Sequence, residues 1–356
     1  MVKTIVLYTL TFLVSELFIV LKRERKVAFF RNYFFVVLIL SVLCGFRGLI
    51  VGTDTIGYSQ IYEGTTNYVI EPGLTALNAI LKLFSSSVHF AFFTISLIIN
   101  TLILYSLWLY RDYCPLRFSF PVFYFLIYFS TFSGIRQWLA IAFVFYATTF
   151  LFVRKNIVLY VFLSVIAILF HYSAIFAFAY LLIYNFTVKM SVGRRLLLII
   201  LVSIVATVLF VFSSYFLTRY FKYFDSIRGG IQVTLIVPAR LLLLILCFFA
   251  FKKEKKRTMR ANLQIPLWLE HGKMLVVCQI IELALYTLGY YNGSISRMSW
   301  YFLPISTIIY GISYGIKKNS FLNVTIKFMV SVLIAYTYFR IFITDSSLVP
   351  YTFFWE

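Results

Sequence analysis

Long apolar runs, separated by short charged clusters, dominate the hydrophobic pattern of this chain. Each run is continuously apolar over about 15–22 residues, as in transmembrane α-helices, and does not alternate as membrane β-strands do. The pattern predicts about twelve spans, at residues 4–21, 32–49, 88–110, 118–134, 137–153, 157–170, 172–187, 196–216, 231–251, 274–290, 298–316 and 321–343. A further run, Leu74 to Ser85, is too short to cross and contains Lys82, so it predicts a short re-entrant or interfacial helix.

Composition agrees with this all-α, polytopic membrane architecture. Hydrophobic residues make up 62% of the 356 and charged residues only 12%, whereas roughly a quarter of a soluble domain is charged. We expect a single membrane domain over residues 1–356, with an outer loop at 47–73 and a basic inner loop at 252–273. The first run leads directly into Lys22 to Lys26 without a small-residue cleavage site, which predicts a retained span and not a signal peptide.

The net charge of +20 follows the predicted topology. Alternate connections carry dense basic clusters, namely Lys22 to Arg31, Arg111 with Arg117, Arg154 with Lys155, Lys189 with Arg194 and Arg195, Lys252 to Arg260, and Lys317 with Lys318. Basic loops face the cytoplasm, so both termini are expected outside. The charge therefore indicates orientation in a membrane, and no nucleic-acid partner is expected.

Several arginines fall on the outer side, where basic residues are disfavoured. The predicted outer connections hold Arg47, Arg136, Arg219, Lys222, Arg228 and Arg297. The planar guanidinium binds phosphate through paired donors, so this set predicts an anionic ligand bound from outside. The alternative is that these side chains only reach lipid headgroups. Arg240 and Glu282 fall within neighbouring spans and predict a buried ion pair that fixes helix packing, in preference to a catalytic role.

Two outer segments combine residues suited to ligand binding. The first runs from Arg47 to Tyr58 and contains glycine turns, hydroxyl groups and Asp54, which could orient a sugar hydroxyl or act as a base. Glycine and aspartate are also ordinary turn formers. The second places Arg136 and Gln137 at the start of a span, where a helix N-terminus favours anions, although a polar hairpin tip would look the same.

His171 and Arg297 complete the candidate set. His171 lies at the predicted outer turn of a helical hairpin, where an imidazole can serve as a general base near neutral pH. A lone histidine near a membrane interface can equally be structural. Arg297 is the third outer arginine at the entrance to a span.

The sequence favours neither a metal nor a cofactor. The three histidines have no metal-ligand spacing, and the four cysteines are scattered without a C-x-x-C pair, which is typical of small buried side chains. No glycine-rich phosphate loop or D-x-D pair indicates a cytoplasmic nucleotide substrate.

The order of several short motifs resembles the EpsG family, which belongs with the Wzy-type polymerases of bacterial exopolysaccharide, capsule and O-antigen. The matching residues are Arg47, Gly52-Thr53-Asp54-Thr55, Tyr58, Glu71-Pro72-Gly73, Arg136-Gln137-x-Leu139-Ala140, Phe170-His171-x-Ser173-Ala174 and Pro350-Tyr351. The resemblance implies a metal-independent glycosyltransferase of the bacterial inner (cytoplasmic) membrane, with its active site facing the periplasm or exterior. It would join oligosaccharide repeat units carried on undecaprenyl pyrophosphate, and a repeat-unit flippase and a chain-length regulator are the expected partners besides membrane lipid.

The resemblance gives the candidate residues roles. Arg136 and Arg297, with Arg47, would bind the pyrophosphate, and Gln137 and Tyr58 would line the substrate site. His171, in preference to Asp54, would take the proton from the acceptor hydroxyl. A flippase for lipid-linked oligosaccharides is the alternative, but it should carry basic residues at several depths and not mainly on one face. An O-antigen ligase shares the donor chemistry, and only the resemblance separates it from a polymerase.

Overall fold

The described part of the chain is helical. A computed structural model describes residues 1–20, 26–66, 68, 70–187, 235–289, 293–316, 320–343 and 347–356. The helices are α1 (Val2–Val20), α2 (Lys26–Gly45), α3 (Thr55–Glu63), α4 (Pro72–Lys82), α5 (Val88–Leu109), α6 (Leu116–Leu126), α7 (Ile135–Phe152), α8 (Ile157–Phe170), α9 (Ala179–Thr187), α10 (Val237–Arg260), α11 (Leu267–Glu270), α12 (Gly272–Leu288), α13 (Gly293–Ser299), α14 (Pro304–Gly315) and α15 (Phe321–Ile343). In these residues the only β pairing is one isolated bridge, so the all-α prediction is confirmed.

Four helices of the described residues are long and apolar enough to cross a membrane. They are α1, α5 with the turn that follows it, α7 and α15, and shorter apolar helices accompany them. The chain is therefore a membrane protein, whereas the count of about twelve spans stays a prediction. Outside the described residues lie the predicted span 196–216 and the basic residues Lys189, Arg194, Arg195, Arg219, Lys222, Arg228, Lys317 and Lys318.

Several predicted boundaries are wrong because short 3₁₀ turns and prolines divide the apolar runs. The predicted span 118–134 is α6 followed by a 3₁₀ turn, Tyr128–Phe132, and the span 172–187 begins with the 3₁₀ turn Tyr172–Phe178. Within the predicted span 298–316, helix α14 begins only at Pro304. Proline is favoured in the first turn of a helix because it has no N–H that would be left unpaired there.

The predicted loops also contain helix. The outer loop 47–73 includes α3, and α10 continues through the basic stretch to Arg260, since lysine, arginine and glutamate are good helix formers. The run around Leu74 forms α4, whose 11 residues extend about 16 Å, too short to cross a bilayer.

Helix α7 lies in the centre of the fold and packs against α5 and α8. Of its residues, 83% are buried. The corresponding shares in the apolar stretches of α1 and α15 are only 22% and 17%, and these two helices turn apolar side chains outward. This is the expected distribution for a bundle whose outer surface meets lipid. All four cysteines are free and buried, as predicted. Arg240 and Glu282 form the predicted buried ion pair, with Nη2 and Oε2 2.5 Å apart.

A closing segment, residues 347–356, packs on the outer loop. Tyr351 donates a hydrogen bond of 2.7 Å from its hydroxyl to the carbonyl oxygen of Leu43, at the end of α2. Three backbone N–H groups complete the pairing: Gly48 to Thr352 O at 2.8 Å, Phe354 to Phe46 O at 3.0 Å, and Gly52 to Ser347 O at 2.7 Å. The start of the outer loop is therefore fixed by residues that lie about three hundred positions later in the sequence.

Candidate functional site

A buried carboxylate joins two of the predicted site residues. Glu71 accepts a hydrogen bond from Arg136 Nη1 at 2.6 Å through one oxygen, and its other oxygen lies 2.7 Å from His171 Nδ1. The Glu71 side chain is 6% exposed, and those of Arg136 and His171 are each 19% exposed. Residues that are 65 and 100 positions apart in sequence therefore form one hydrogen-bonded cluster where three helices, α4, α7 and α8, begin or end.

The start of α4 places Glu71 against His171. Pro72 occupies the first turn of α4, and Glu71 precedes it in an extended conformation. Gly73 then lies so close to the end of α8 that a Cβ atom on it would stand 2.6 Å from the carbonyl oxygen of Leu169. Only glycine permits this approach, which brings the carboxylate to the residue that ends α8.

Glu71 was absent from the predicted site residues, although its Glu-Pro-Gly motif was among the matching segments. Glutamate is not a preferred N-cap, and its side chain makes no capping hydrogen bond here. A carboxylate directly before a helix-starting proline, in a region rich in arginine, is the signal that could have identified it.

The Glu71 carboxylate is ionised at neutral pH. Burial raises its pKa, but the hydrogen bond from His171 and the charge of Arg136 outweigh this effect, so its pKa lies below the ordinary value. An ionised carboxylate can only accept hydrogen bonds, so His171 Nδ1 carries the proton. In the neutral ring, Nε2 then has a free lone pair, which is the form required of a general base.

The neighbours of Arg136 accept hydrogen bonds from two of its three guanidinium nitrogens, Nε and Nη1. Its Nε donates to the hydroxyl of Tyr58 at 3.2 Å, and its guanidinium lies 5.7 and 5.9 Å from the ring centres of Tyr58 and Tyr68. Within the described ranges, Nη2 makes no hydrogen bond. Burial raises the pKa of Tyr58, so the phenol is neutral. The arrangement presents a fixed cationic group that can bind an anion.

Asp54 organises the loops beside this cluster. It directly precedes α3, and its Oδ2 accepts the backbone N–H of Gly134 at 3.0 Å. The adjacent Thr53 donates its backbone N–H to Ser133 Oγ at 3.1 Å. Gly134 has a φ of 64°, a conformation that favours glycine, and leads into α7. Asp54 therefore ties the loop before α3 to the turn that positions Arg136.

Arg47 lies beneath the outer loop and is fully buried. Its Nε donates to Val51 O and its Nη2 to Phe132 O, both at 3.0 Å, and Nη1 donates to Cys44 O. The guanidinium also lies 4.9 Å from the ring centre of Phe92. In this structure Arg47 presents no exposed atom to a ligand, and its contacts hold the loop backbone in place.

Gln137 and Arg297 connect α7 to α13. Gln137 is buried and donates from Nε2 to the backbone carbonyl of Arg297 at 2.7 Å. The rings of Trp138 and Trp300 stack beside this bond with centres 5.6 Å apart. The Arg297 side chain is exposed and makes no ion pair with any described residue. Both residues thus lie at the same end of the bundle, where the side chain of Gln137 joins α7 to α13.

The structure brings Tyr58, Arg136 and His171 together around Glu71 and places Asp54 one turn away. No three histidine, cysteine, aspartate or glutamate side chains of the described chain are grouped as metal ligands. The arrangement can bind an anion at Arg136 and accept a proton at His171.

Comparison with known proteins gives one match. A family model, described as the EpsG family, matches residues 30–353 and so covers every residue of the cluster. No curated protein and no solved structure is significantly similar to the chain.

Proposed function

Because this chain belongs to the EpsG family of Wzy-type polysaccharide polymerase-like membrane proteins, we propose that it is a glycosyltransferase that polymerises lipid-linked oligosaccharides. Membership supports a role in polysaccharide biosynthesis. The proposed substrate is a repeat unit carried on undecaprenyl pyrophosphate, and the product is exopolysaccharide, capsule or O-antigen. The hydrogen-bonded cluster of Arg136, Glu71 and His171 is the observation that carries the proposal.

The proposed setting is the bacterial inner membrane, crossed by about twelve spans. Arg136 follows a connection poor in lysine, and the basic stretch Lys252 to Arg260 belongs to the opposite side under the positive-inside rule. The cluster would then face the periplasm or exterior, where flipped repeat units arrive. A lipid-linked substrate needs a site that sugars reach from water and a prenyl chain reaches from the bilayer.

In the proposed reaction, His171 Nε2 takes the proton from an acceptor sugar hydroxyl. The hydroxyl oxygen forms a bond to the anomeric carbon of the donor, and the bond from that carbon to the pyrophosphate oxygen breaks. The electron pair of the broken bond stays with the pyrophosphate, which leaves on its lipid. Arg136 Nη2 and the exposed Arg297 side chain would bind the negative charge that develops.

Glu71 supports both halves of this step. Its negative charge stabilises the imidazolium that forms when His171 accepts the proton, as the carboxylate of a catalytic triad does. The same carboxylate fixes Arg136 through Nη1, so Nη2 is held in one position at little entropic cost. His171 is favoured over Asp54 as the base because Asp54 accepts the N–H of Gly134 and thereby supports the loop.

The proposal is tested with purified protein and a homogeneous undecaprenyl-pyrophosphate repeat unit from the native host. We expect a ladder of oligomers without added nucleotide, and its loss in Arg136→Ala at unchanged protein level. His171→Ala should abolish the ladder, whereas Asp54→Asn should weaken it. Full activity in His171→Ala would refute the assignment of the base, and full activity in Asp54→Asn as well would exclude both candidates.

A flippase is the competing function, and the same material separates the two. Movement of the intact lipid across proteoliposome bilayers, with no ladder under any condition, would show transport and overturn the polymerase proposal. The described basic residues of the cluster lie at one end of the helices, which favours a one-sided enzyme.

A further inference from the structure

A groove of about 450 Å³ lies between α6, α14 and α15, away from the candidate site. Its floor and walls are mostly apolar, with Phe118 and Phe125 from α6 and Ala335 and Phe339 from α15. Its size falls in the range of small-molecule sites, roughly 300–1,000 Å³. An apolar groove of this volume accommodates a hydrocarbon chain.

The groove opens on the surface that faces lipid. Only 17% of the span in α15 is buried, and its side chains Phe328 and Phe339 are 68% and 61% exposed. Such an apolar helix face is covered by acyl chains in a membrane. A lipid chain can therefore enter the groove sideways from the bilayer.

Arg117 lies at one end of this groove without a counter-ion. The residue is half-buried, and its Nε is buried without a hydrogen-bond partner. None of the ion pairs of the described residues includes it, and its guanidinium lies 4.6 Å from the ring centre of Phe118. A desolvated donor on a cation is costly to leave unpaired, so the site is complementary to an anion.

Two hydroxyl groups add polar contacts in the same groove. Tyr314 and Ser331 line it and form a hydrogen bond to each other between α14 and α15. The groove thus combines an apolar channel, a cation and hydroxyl groups, which matches a phospholipid with its acyl chain, phosphate and glycerol ester oxygens.

The groove shares no lining residue with the candidate site. Arg117 lies in the first turn of α6, whereas Arg136 follows α6 and the 3₁₀ turn Tyr128–Phe132. The 11 residues of α6 extend about 16 Å and the five of the turn about 10 Å. The phosphate proposed for Arg117 is thus assigned to a different set of side chains from the donor pyrophosphate.

We propose that this groove binds an anionic phospholipid, with its phosphate on Arg117 and one acyl chain along α6 and α15. The proposal does not depend on the catalytic function. The bound lipid fills the groove between α6 and α15 and supplies the counter-ion that Arg117 lacks among the described residues.

Native mass spectrometry of the purified chain in detergent tests this proposal. The protein is titrated with phosphatidylglycerol and, separately, with phosphatidylcholine of the same acyl chains. We expect phosphatidylglycerol to bind about tenfold more tightly than phosphatidylcholine. Arg117→Gln should remove this preference, because the hydrogen-bonding charge of the guanidinium is lost. The matched control is Arg111→Gln, since Arg111 is exposed, does not line the groove and places its guanidinium 4.1 Å from the ring centre of the nearby Trp108.

A second variant tests the apolar part of the groove. Ala335→Phe fills the groove and should weaken both phospholipids, while gel filtration reports whether each variant remains folded and monodisperse. Equal lipid preference in Arg117→Gln and Arg111→Gln would overturn the proposal. So would displacement of phosphatidylglycerol by undecaprenyl phosphate at lower concentration in an Arg117-dependent manner, because the groove would then belong to the carrier lipid.

Discussion

Replacing Glu71 by glutamine removes one negative charge and leaves the shape of the side chain almost unchanged. In the wild type its two oxygens contact Arg136 at 2.6 Å and His171 at 2.7 Å. In Glu71→Gln, the new amide group can accept from only one of these donors, and its own NH₂ faces the other. The cluster therefore loses the charge assistance of both hydrogen bonds, and His171 can accept from the amide NH₂ only in the tautomer that carries its proton on Nε2, where it cannot act as the base.

The size of the effect follows from burial. Glu71 is 6% exposed, but Arg136 and His171 are 19% exposed, so water partly compensates their lost partner. We expect a decrease of about 2 kcal/mol in the free energy of unfolding, below that of a fully buried broken pair. The turnover rate should fall more, by roughly 10²- to 10⁴-fold, because the imidazolium that forms during proton transfer loses its carboxylate.

The matched control is Glu63→Gln, the same substitution at an exposed residue of the same outer segment. Glu63 accepts a hydrogen bond from Ser59 at 3.0 Å and contacts none of the cluster residues described above. The two variants are compared by ladder formation at saturating substrate and by thermal unfolding in detergent. Equal rates and equal unfolding temperatures in Glu71→Gln and Glu63→Gln would refute the role of Glu71.

Acid titration gives an independent test with a defined sign. The pKa of folded Glu71 lies below 4.5, its ordinary value, so ionised Glu71 stabilises the fold. This stabilisation is complete above the pKa of the unfolded chain and is lost as pH falls through the lower folded value. The contribution of the Glu71 charge to the difference in unfolding temperature between wild type and Glu71→Gln should therefore be complete above pH 4.5 and shrink as pH falls below it.

Three further substitutions test other parts of the structure. Gly73→Ala should reduce activity about tenfold by forcing α4 away from α8. Gly57→Ala, where the added Cβ meets open space, should leave activity unchanged. Equal activity in the two variants would contradict the close approach of α4 to α8. Arg240→Met should destabilise the protein by about 3–5 kcal/mol, and adding Glu282→Leu should restore most of the unfolding temperature; no recovery in the double variant would count against a simple ion pair. Tyr351→Phe should cost about 1 kcal/mol, measured by denaturant unfolding, because one buried hydrogen bond is lost; an unchanged midpoint would show that the closing segment contributes little stability.

The sequence predicts helix positions where apolar runs have clear ends. The predicted span 157–170 coincides with α8, because Asn156 caps its start and accepts the N–H of Leu159. The runs at 118–134 and 298–316 are equally apolar, but 3₁₀ turns and a helix-starting proline divide them. Hydropathy alone does not distinguish a continuous helix from two short ones.

The sequence predicts Arg136 and His171 as site residues, but neither Glu71 nor the geometry that joins the three. Arg136 and His171 could be identified because both are polar residues at the ends of long apolar runs. Their connection through Glu71 depends on how α4 packs against α8, which no spacing along the chain encodes. The burial of Arg47 is likewise not evident from the sequence, because its carbonyl partners come from the end of α2, from its own loop and from Phe132, 85 residues later.

The closing segment has a consequence for how the protein is made. Residues 347–356 leave the ribosome after every helix described here, yet they supply the partners of Gly48 and Gly52. These backbone groups of the loop 47–73 therefore meet their partners only after the last described helix, α15, has been synthesised. A chain interrupted before residue 347 would retain all the helices described here and still lack a finished loop. Completion of this loop thus depends on chain that follows the last described helix.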